Sequence, residues 1–267
     1  MSMSLKSSVA VLTGAGRQNG IGAATARLLA QQGCHLLINC LKNTQQAERV
    51  AEECRQEGVE VIVHIGNLTQ PSICQEMKNL VMAKWGRVDV IVNCLGNTKS
   101  APYEKLAALQ LEDFEKIFAV NVYAPFLIAQ AFQEFISQSP HAVVINISSA
   151  AGITGKGSSI AYAAAKGAEN TLTLALAQAL SPEVRVNAIC PSFVDSSWWE
   201  ESFAEKEAQY QALLKNMKEN NLHSRVLKPE NIAQMIMSVI LNPGISGELI
   251  RMDAGAHIGK ANAREKR

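Results

Sequence analysis

The sequence carries little charge and almost no excess of either sign. Of its 267 residues, 18% are charged, and 25 basic against 24 acidic side chains leave a net charge of +1. That balance argues against a surface that tracks nucleic-acid phosphates. With 48% apolar residues the chain is also too apolar to be disordered. Paired cysteines are missing: Cys34, Cys40, Cys54, Cys74, Cys94 and Cys190 include no C-x-x-C pair. Neither a metal site nor a disulfide framework is expected, and a reducing compartment fits best. Residues 1–8 hold one Lys and no apolar core, so no signal peptide is expected. The most apolar long stretch, 118–132, is interrupted by Asn121, Pro125 and Gln130, and is too short and polar to span a bilayer. The expectation is a soluble, cytoplasmic protein with no membrane or nucleic-acid partner.

What is present is an alternation of two periods. Short aliphatic and β-branched runs recur at 9–13, 35–40, 59–65, 88–93, 142–147, 184–190 and 248–252. Between them lie helix-like stretches, among them 22–32, 44–57, 71–85 and 111–138. Strands apolar on both faces, separated by helices, indicate a parallel sheet covered on both sides. Gly33 and Gly58 fall where two helices should end. The fold class expected is α/β: a single doubly wound domain over 1–267, with about seven parallel strands and helices on both faces. The region 192–228 breaks the rhythm, with Trp198, Trp199, Phe203 and Tyr210 among many charges. It reads as a helical lid after a strand end, where such sheets place their ligands. Its Trp pair would form an apolar wall, or one Trp would anchor the lid to the core. The basic tail 260–267 is expected to fray.

The first strand runs into Thr13-Gly14-Ala15-Gly16-Arg17-Gln18-Asn19-Gly20-Ile21-Gly22. The fingerprint G-x-G-x-x-G is broken, because Asn19 stands at its third glycine. The surviving glycine-rich strand-to-helix turn suits a pyrophosphate, offering close backbone approach and a helix N-terminus. The plainer alternative is an ordinary tight turn; four glycines in nine residues favour phosphate. The second strand ends in Asn39-Cys40-Leu41-Lys42-Asn43, with no acid before Glu48. An NAD site usually places Asp or Glu there for the ribose hydroxyls. Lys42, with Arg17 as a second contact, would instead neutralise a 2′-phosphate, unless both are merely solvated cations. Finally, Ser148-Ser149 ends a buried strand and Tyr162 and Lys166 follow at i and i+4 of a helix. An ammonium beside a phenol draws its pKa towards the range of a general acid.

With these motifs in place the chain resembles the short-chain dehydrogenase/reductase family, essentially from 8 to 257. The family's T-G-x-x-x-G-x-G loop matches 13–22 with two extra residues. Its N-N-A-G motif reads Asn93-Cys94-Leu95-Gly96, its central-helix Asn matches Asn121, and its catalytic Ser matches Ser149. Its Y-x-x-x-K is Tyr162 to Lys166, and its P-G motif reads Pro191-Ser192. Asn67 replaces the adenine-contacting Asp, as among ketoacyl reductases, and local similarity is strongest to 3-oxoacyl-carrier-protein reductases.

The resemblance implies that Tyr162 donates a proton to the substrate carbonyl and Ser149 hydrogen-bonds the same oxygen. Lys166 would lower the Tyr162 pKa and bind the nicotinamide ribose, and Asn121 would hold a water linking Lys166 to solvent. Gly14, Gly16, Arg17, Gly20, Ile21 and Gly22 would cradle the phosphates. Lys42 would meet the 2′-phosphate, and Asn67 and Leu68 would line the cofactor. Asn93, Cys94, Leu95 and Gly96, then Pro191, Val194 and Ser196, would line the rest. The activity implied is an NADP(H)-dependent oxidoreductase that interconverts a small-molecule carbonyl and a secondary alcohol. Two alternatives are an NAD-linked sugar or steroid alcohol dehydrogenase and a non-catalytic nucleotide sensor. The missing acid near Cys40 counts against the first, and intact Tyr162 and Lys166 against the second. The helix at 158–180 is apolar on so many sides that a partner subunit is expected against it, in a homodimer or homotetramer.

Overall fold

Residues 4–140, 142–199 and 206–259 are described by the computed structural model. The tail 260–267 and Phe203 of the proposed lid lie outside the described residues. The apolar runs become seven strands: β1 (Val9–Thr13), β2 (His35–Cys40), β3 (Val61–Ile65), β4 (Val90–Asn93), β5 (Val143–Ile147), β6 (Arg185–Pro191) and β7 (Leu249–Met252). They form one sheet in the order β3-β2-β1-β4-β5-β6-β7, with every pair parallel. The order reverses between β1 and β4, and a crevice over the strand ends at such a switch point is where these sheets bind ligands.

Alternation along each strand sorts its side chains to opposite faces. Ala10, Leu12, Leu36, Ile38, Val90, Val92 and Val143 join one core, against α1 (Ile21–Gln31), α2 (Thr44–Arg55) and the late helix at 229–241. Val9, Val11, Leu37, Ile91, Val144 and Val186 join the other. That second core is covered by α3 (Pro71–Trp85), α5 (Ala124–Ile136) and α7 (Ile160–Ala179). Three further helices complete the described chain: α4 (Leu111–Phe118), a short α6 (Ala151–Thr154) and α8 (Glu207–Asn220), with α9 (Pro229–Leu241) being the late helix. Gly33 follows the Gln32 cap of α1 at φ +79°, and Gly58 closes α2 at φ +82°, the left-handed geometry expected of helix-ending glycines.

The stretch 111–138 departs from the single α-helix its pattern predicts. Its ladder widens into a π-helical turn at Ala119–Tyr123, where the Ala124 N–H bonds the Ala119 carbonyl. Pro125 is the physical cause: it has no N–H to return to residue 121, so the i+4 ladder fails there. Asn121 is thereby carried into the interior, fully buried.

A row of polar side chains crosses the second core. Thr13, Asn93 and Asn146 stand side by side in register on β1, β4 and β5. Thr13 Oγ1 donates to Asn93 Oδ1 at 3.3 Å, and Asn93 Nδ2 donates to Asn146 Oδ1 at 2.8 Å. Asn146 Nδ2 donates to Thr173 Oγ1 at 2.9 Å, which donates in turn to the Glu169 carbonyl at 2.9 Å. Four buried side chains thus fix α7 laterally against three strand ends.

Candidate active site

The glycine loop folds tightly over the end of β4. Gly14 sits at φ +64°, and a Cβ there would lie 2.6 Å from the Cys94 carbonyl oxygen. A Cβ on Gly16 would lie 2.5 Å from that of Cys40, so the loop also rests on the end of β2. Helix α1 then begins at Ile21, after Gly20 as its N-cap, with no side-chain cap and no acid in its first turn. Its free N–H groups and dipole favour an anion at this point.

The lengthened loop meets the segment that follows β6. Arg17 Nη1 donates to the Ser197 carbonyl at 3.1 Å, and the Ser197 N–H donates to the Asn19 carbonyl at 2.9 Å. Arg17 therefore engages the lid, whereas Lys42 stands exposed at the far end of β2, outside the cleft lining. Asn67 is exposed, its Oδ1 accepting from Thr69 N–H at 3.1 Å and Oγ1 at 2.9 Å. Leu68 is buried in the second core, and Asn93 is buried in the polar row.

On the opposite wall, Ser159 caps α7 by accepting the Tyr162 N–H at 3.2 Å, which places Tyr162 in the first helical turn. Lys166 follows one turn on, only 2% exposed, with its Nζ 5.9 Å from the Tyr162 ring centre. That Nζ donates to the Ile147 carbonyl at 2.9 Å and to Glu169 Oε2 at 2.7 Å. Ser149 follows β5, its Oγ accepting the Ala151 N–H at 3.1 Å. Asn121 Nδ2 donates to the Asn97 and Ile117 carbonyls, both at 2.8 Å, while its Oδ1 is buried without a partner.

One cleft brings together most of these residues. Gly14, Arg17 and the 20–22 segment line one end, and Ser149, Tyr162 and Lys166 line the other. Cys94, Leu95 and Gly96 lie between, with Pro191, Val194 and Ser196 opposite. Gly16, Lys42, Asn67, Leu68, Asn93 and Asn121 stand outside the lining. Ser148, Ser192, Ser197 and both Trp residues line the cleft in addition.

The two tryptophans divide the roles expected of them. A Cβ on Gly96 would lie 2.9 Å from the Trp198 ring, so Trp198 forms the apolar wall. Trp199 Nε1 donates to the Val194 carbonyl at 3.1 Å, and its ring stacks on Phe193 at 5.0 Å, so Trp199 anchors the lid. The base of the lid is pinned where Val194 bridges Leu227.

Glu169 is the ionisable residue that reading by motif missed. Its signal was there: an acid three residues past Lys166 in a helix otherwise rich in Ala and Leu. Burial pushes the Glu169 carboxyl up to about 7, despite the nearby ammonium. Burial works against the Lys166 ammonium too, but Glu169 and Tyr162 outweigh it and raise its pKa. Burial also drives the Cys94 thiol up to about 12, which keeps it neutral.

Comparison with known proteins decides the family. The model of the short chain dehydrogenase family matches residues 8–207. The chain belongs to the short-chain dehydrogenase/reductase family. It is 29% identical over 255 residues to a 3-oxoacyl-[acyl-carrier-protein] reductase of Synechocystis, covering 94% of this chain and 97% of that one. It is 30% identical to the human 3-hydroxyacyl-CoA dehydrogenase type-2 over 263 residues, covering 94% and 95%. A solved structure described as a short-chain dehydrogenase/reductase from Burkholderia xenovorans superposes with a TM-score of 0.86 at 32% identity, covering 95% and 99%. This short-chain dehydrogenase/reductase is therefore an oxidoreductase of a family that uses NAD(P). The glycine cradle and the uncapped start of α1 fit the dinucleotide phosphates. Among the described residues, no helix is long and apolar enough to cross a membrane.

Proposed function

We propose that this enzyme interconverts a carbonyl and a secondary alcohol with NADP(H), and that its substrate class is a 3-oxoacyl or 3-hydroxyacyl thioester. The observation that carries the reading is the placement of Tyr162 and Lys166, one turn apart, in the same cleft as the glycine loop. Two relatives named for 3-oxoacyl and 3-hydroxyacyl thioesters support the substrate class. When bound, the nicotinamide supplies the hydride. The Tyr162 hydroxyl gives its proton to the carbonyl oxygen during reduction and takes it back during oxidation. Ser149 hydrogen-bonds the same oxygen and orients it. Lys166 stabilises the phenolate and binds the ribose hydroxyls. Asn121, inside the π-helical turn, holds the water through which Lys166 reaches solvent. Trp198 shields the reacting carbon from water, with Arg17 and Ser197 keeping the lid in place.

Lys42 is the residue proposed to select NADP(H). An acid at the end of β2 would accept both ribose hydroxyls and repel a 2′-phosphate; Cys40 does neither. The Lys42 ammonium stands exposed two residues on, free to meet a phosphate by a charge-assisted contact. We also propose a homodimer or homotetramer, paired through Leu111 (70% exposed), Tyr123 and Phe126 near α4 and α5, and Leu174 of α7. Free, mostly buried cysteines suit a cytoplasmic setting.

Tyr162→Phe keeps the ring and removes the transferable proton. Turnover of a 3-oxoacyl thioester should fall at least ~100-fold, the scale of general-acid catalysis, while NADPH binding by fluorescence persists. Near-normal turnover would refute the proton role. Lys42→Ala should raise the Michaelis constant for NADPH about tenfold, equivalent to about 1.4 kcal/mol, and leave that for NADH unchanged. Equal loss of both cofactors would exclude the 2′-phosphate contact. Light scattering at micromolar concentration should give a dimer or tetramer; a monomer would contradict the proposed pairing.

A further inference from the structure

Glu169 is only 1% exposed, and it pairs with the equally buried Lys166 ammonium. One oxygen, Oε2, holds the Lys166 ammonium at 2.7 Å; the Ser148 hydroxyl is the other polar neighbour of the carboxyl, and Oε1 makes no hydrogen bond of good geometry. Desolvating such an ion pair is costly, and a pair of apolar side chains would fill the same space more cheaply. The side-chain environment of Glu169 is instead the back of the catalytic cleft. Ser148 and Cys190 approach from the ends of β5 and β6, and Cys94 from the end of β4. Tyr162 and Lys166 belong to the same helix.

We propose that Glu169 is a positioning residue for the Tyr162–Lys166 pair: its carboxylate anchors the buried ammonium beside the Ile147 carbonyl and offsets its charge. This rests on the reading of Tyr162 as the proton donor. The acidity of Tyr162 is then set by three groups rather than two. An ionised Glu169 cancels part of the field that Lys166 exerts on the phenol, and a protonated Glu169 leaves that field whole.

The sign follows from the charges. Burial holds the Cys190 and Cys94 thiols at about 11 and about 12, so both are neutral at neutral pH. The Glu169 carboxyl, raised to about 7, is the group that changes charge there. Below that value the Lys166 charge stands without a counter-charge, and above it the carboxylate offsets that charge.

Glu169→Gln removes the charge and keeps the shape, and its amide oxygen still accepts from Lys166. Tyr162 is read in the purified full chain by the ultraviolet absorbance of its phenolate, as the difference between a protein with Tyr162 and the same protein carrying Tyr162→Phe. The midpoint should lie about one pH unit lower in Glu169→Gln than in the unsubstituted protein, the lower end of what a neighbouring charge does. The acid limb of kcat/KM for alcohol oxidation should move down equally. Glu169→Asn, a shorter amide that removes the charge and keeps an acceptor beside Lys166, should shift the midpoint the same way and serves if the Gln variant fails to fold. An unmoved or raised midpoint, with kcat lowered uniformly across pH, overturns the proposal and leaves Glu169 a structural role. The titration needs no substrate. Absence of turnover on any carbonyl therefore counts against the proposed activity, and an unmoved midpoint in an active enzyme counts against Glu169.

Discussion

The buried polar row from Thr13 through Asn93 and Asn146 to Thr173 is the constraint on which the rest of the molecule depends. The glycine loop hangs from the end of β1, and the Tyr162–Lys166 pair rides on α7. The row is what joins those two halves across β4 and β5. Each link lies in a dry core, so leaving one member unpaired costs about 1–3 kcal/mol. That is a large share of the roughly 5–15 kcal/mol by which a domain is stable. The row also fixes register. A slip of one residue on β4 or β5 would turn its Asn to the opposite face, where Leu12, Val92 and Ile145 form an apolar layer.

Given that register, the cleft follows from short-range contacts. Gly14 lets the loop lie on the Cys94 carbonyl, and Gly96 leaves room for the Trp198 ring. The longer glycine loop also braces the 197 segment, through the paired contacts of Arg17 and Asn19 with Ser197. The π-helical turn imposed by Pro125 carries Asn121 to the interior, beside the loop that follows β4. The lid region, far along the chain, is thus held by residues that follow the first strand.

Much of the fold was legible because its signals are local. Strands apolar on both faces, such as Val90–Asn93 and Val143–Ile147, admit few arrangements besides a parallel sheet covered on both sides. Tyr162, Lys166 and Ser149 were legible from spacing, and the structure places them around one cleft. What was not legible was tertiary. Asn93 faces the second core by strand alternation, and its bonds to Thr13 and Asn146 depend on a register that the sequence does not print. Arg17 lines the cleft as expected, and its bond to the Ser197 carbonyl depends on a segment 180 residues away. Pro125 was visible as a break in an apolar stretch, but its effect on the ladder depends on the helix continuing through it. Glu169 stood in the sequence as an acid three residues past Lys166, and its burial against that ammonium gives the spacing its meaning.

The central claim is that this cleft passes a hydride to a carbonyl carbon while Tyr162 supplies the proton. It is tested most directly by following the label from NADPH that carries deuterium at its transferable position, with a 3-oxoacyl thioester as acceptor. The account predicts a 3-hydroxyacyl product with deuterium on the carbinol carbon, formed in step with cofactor oxidation. Cofactor oxidation without deuterium in the product, or no transfer to the thioester or to any simple ketone, would contradict it.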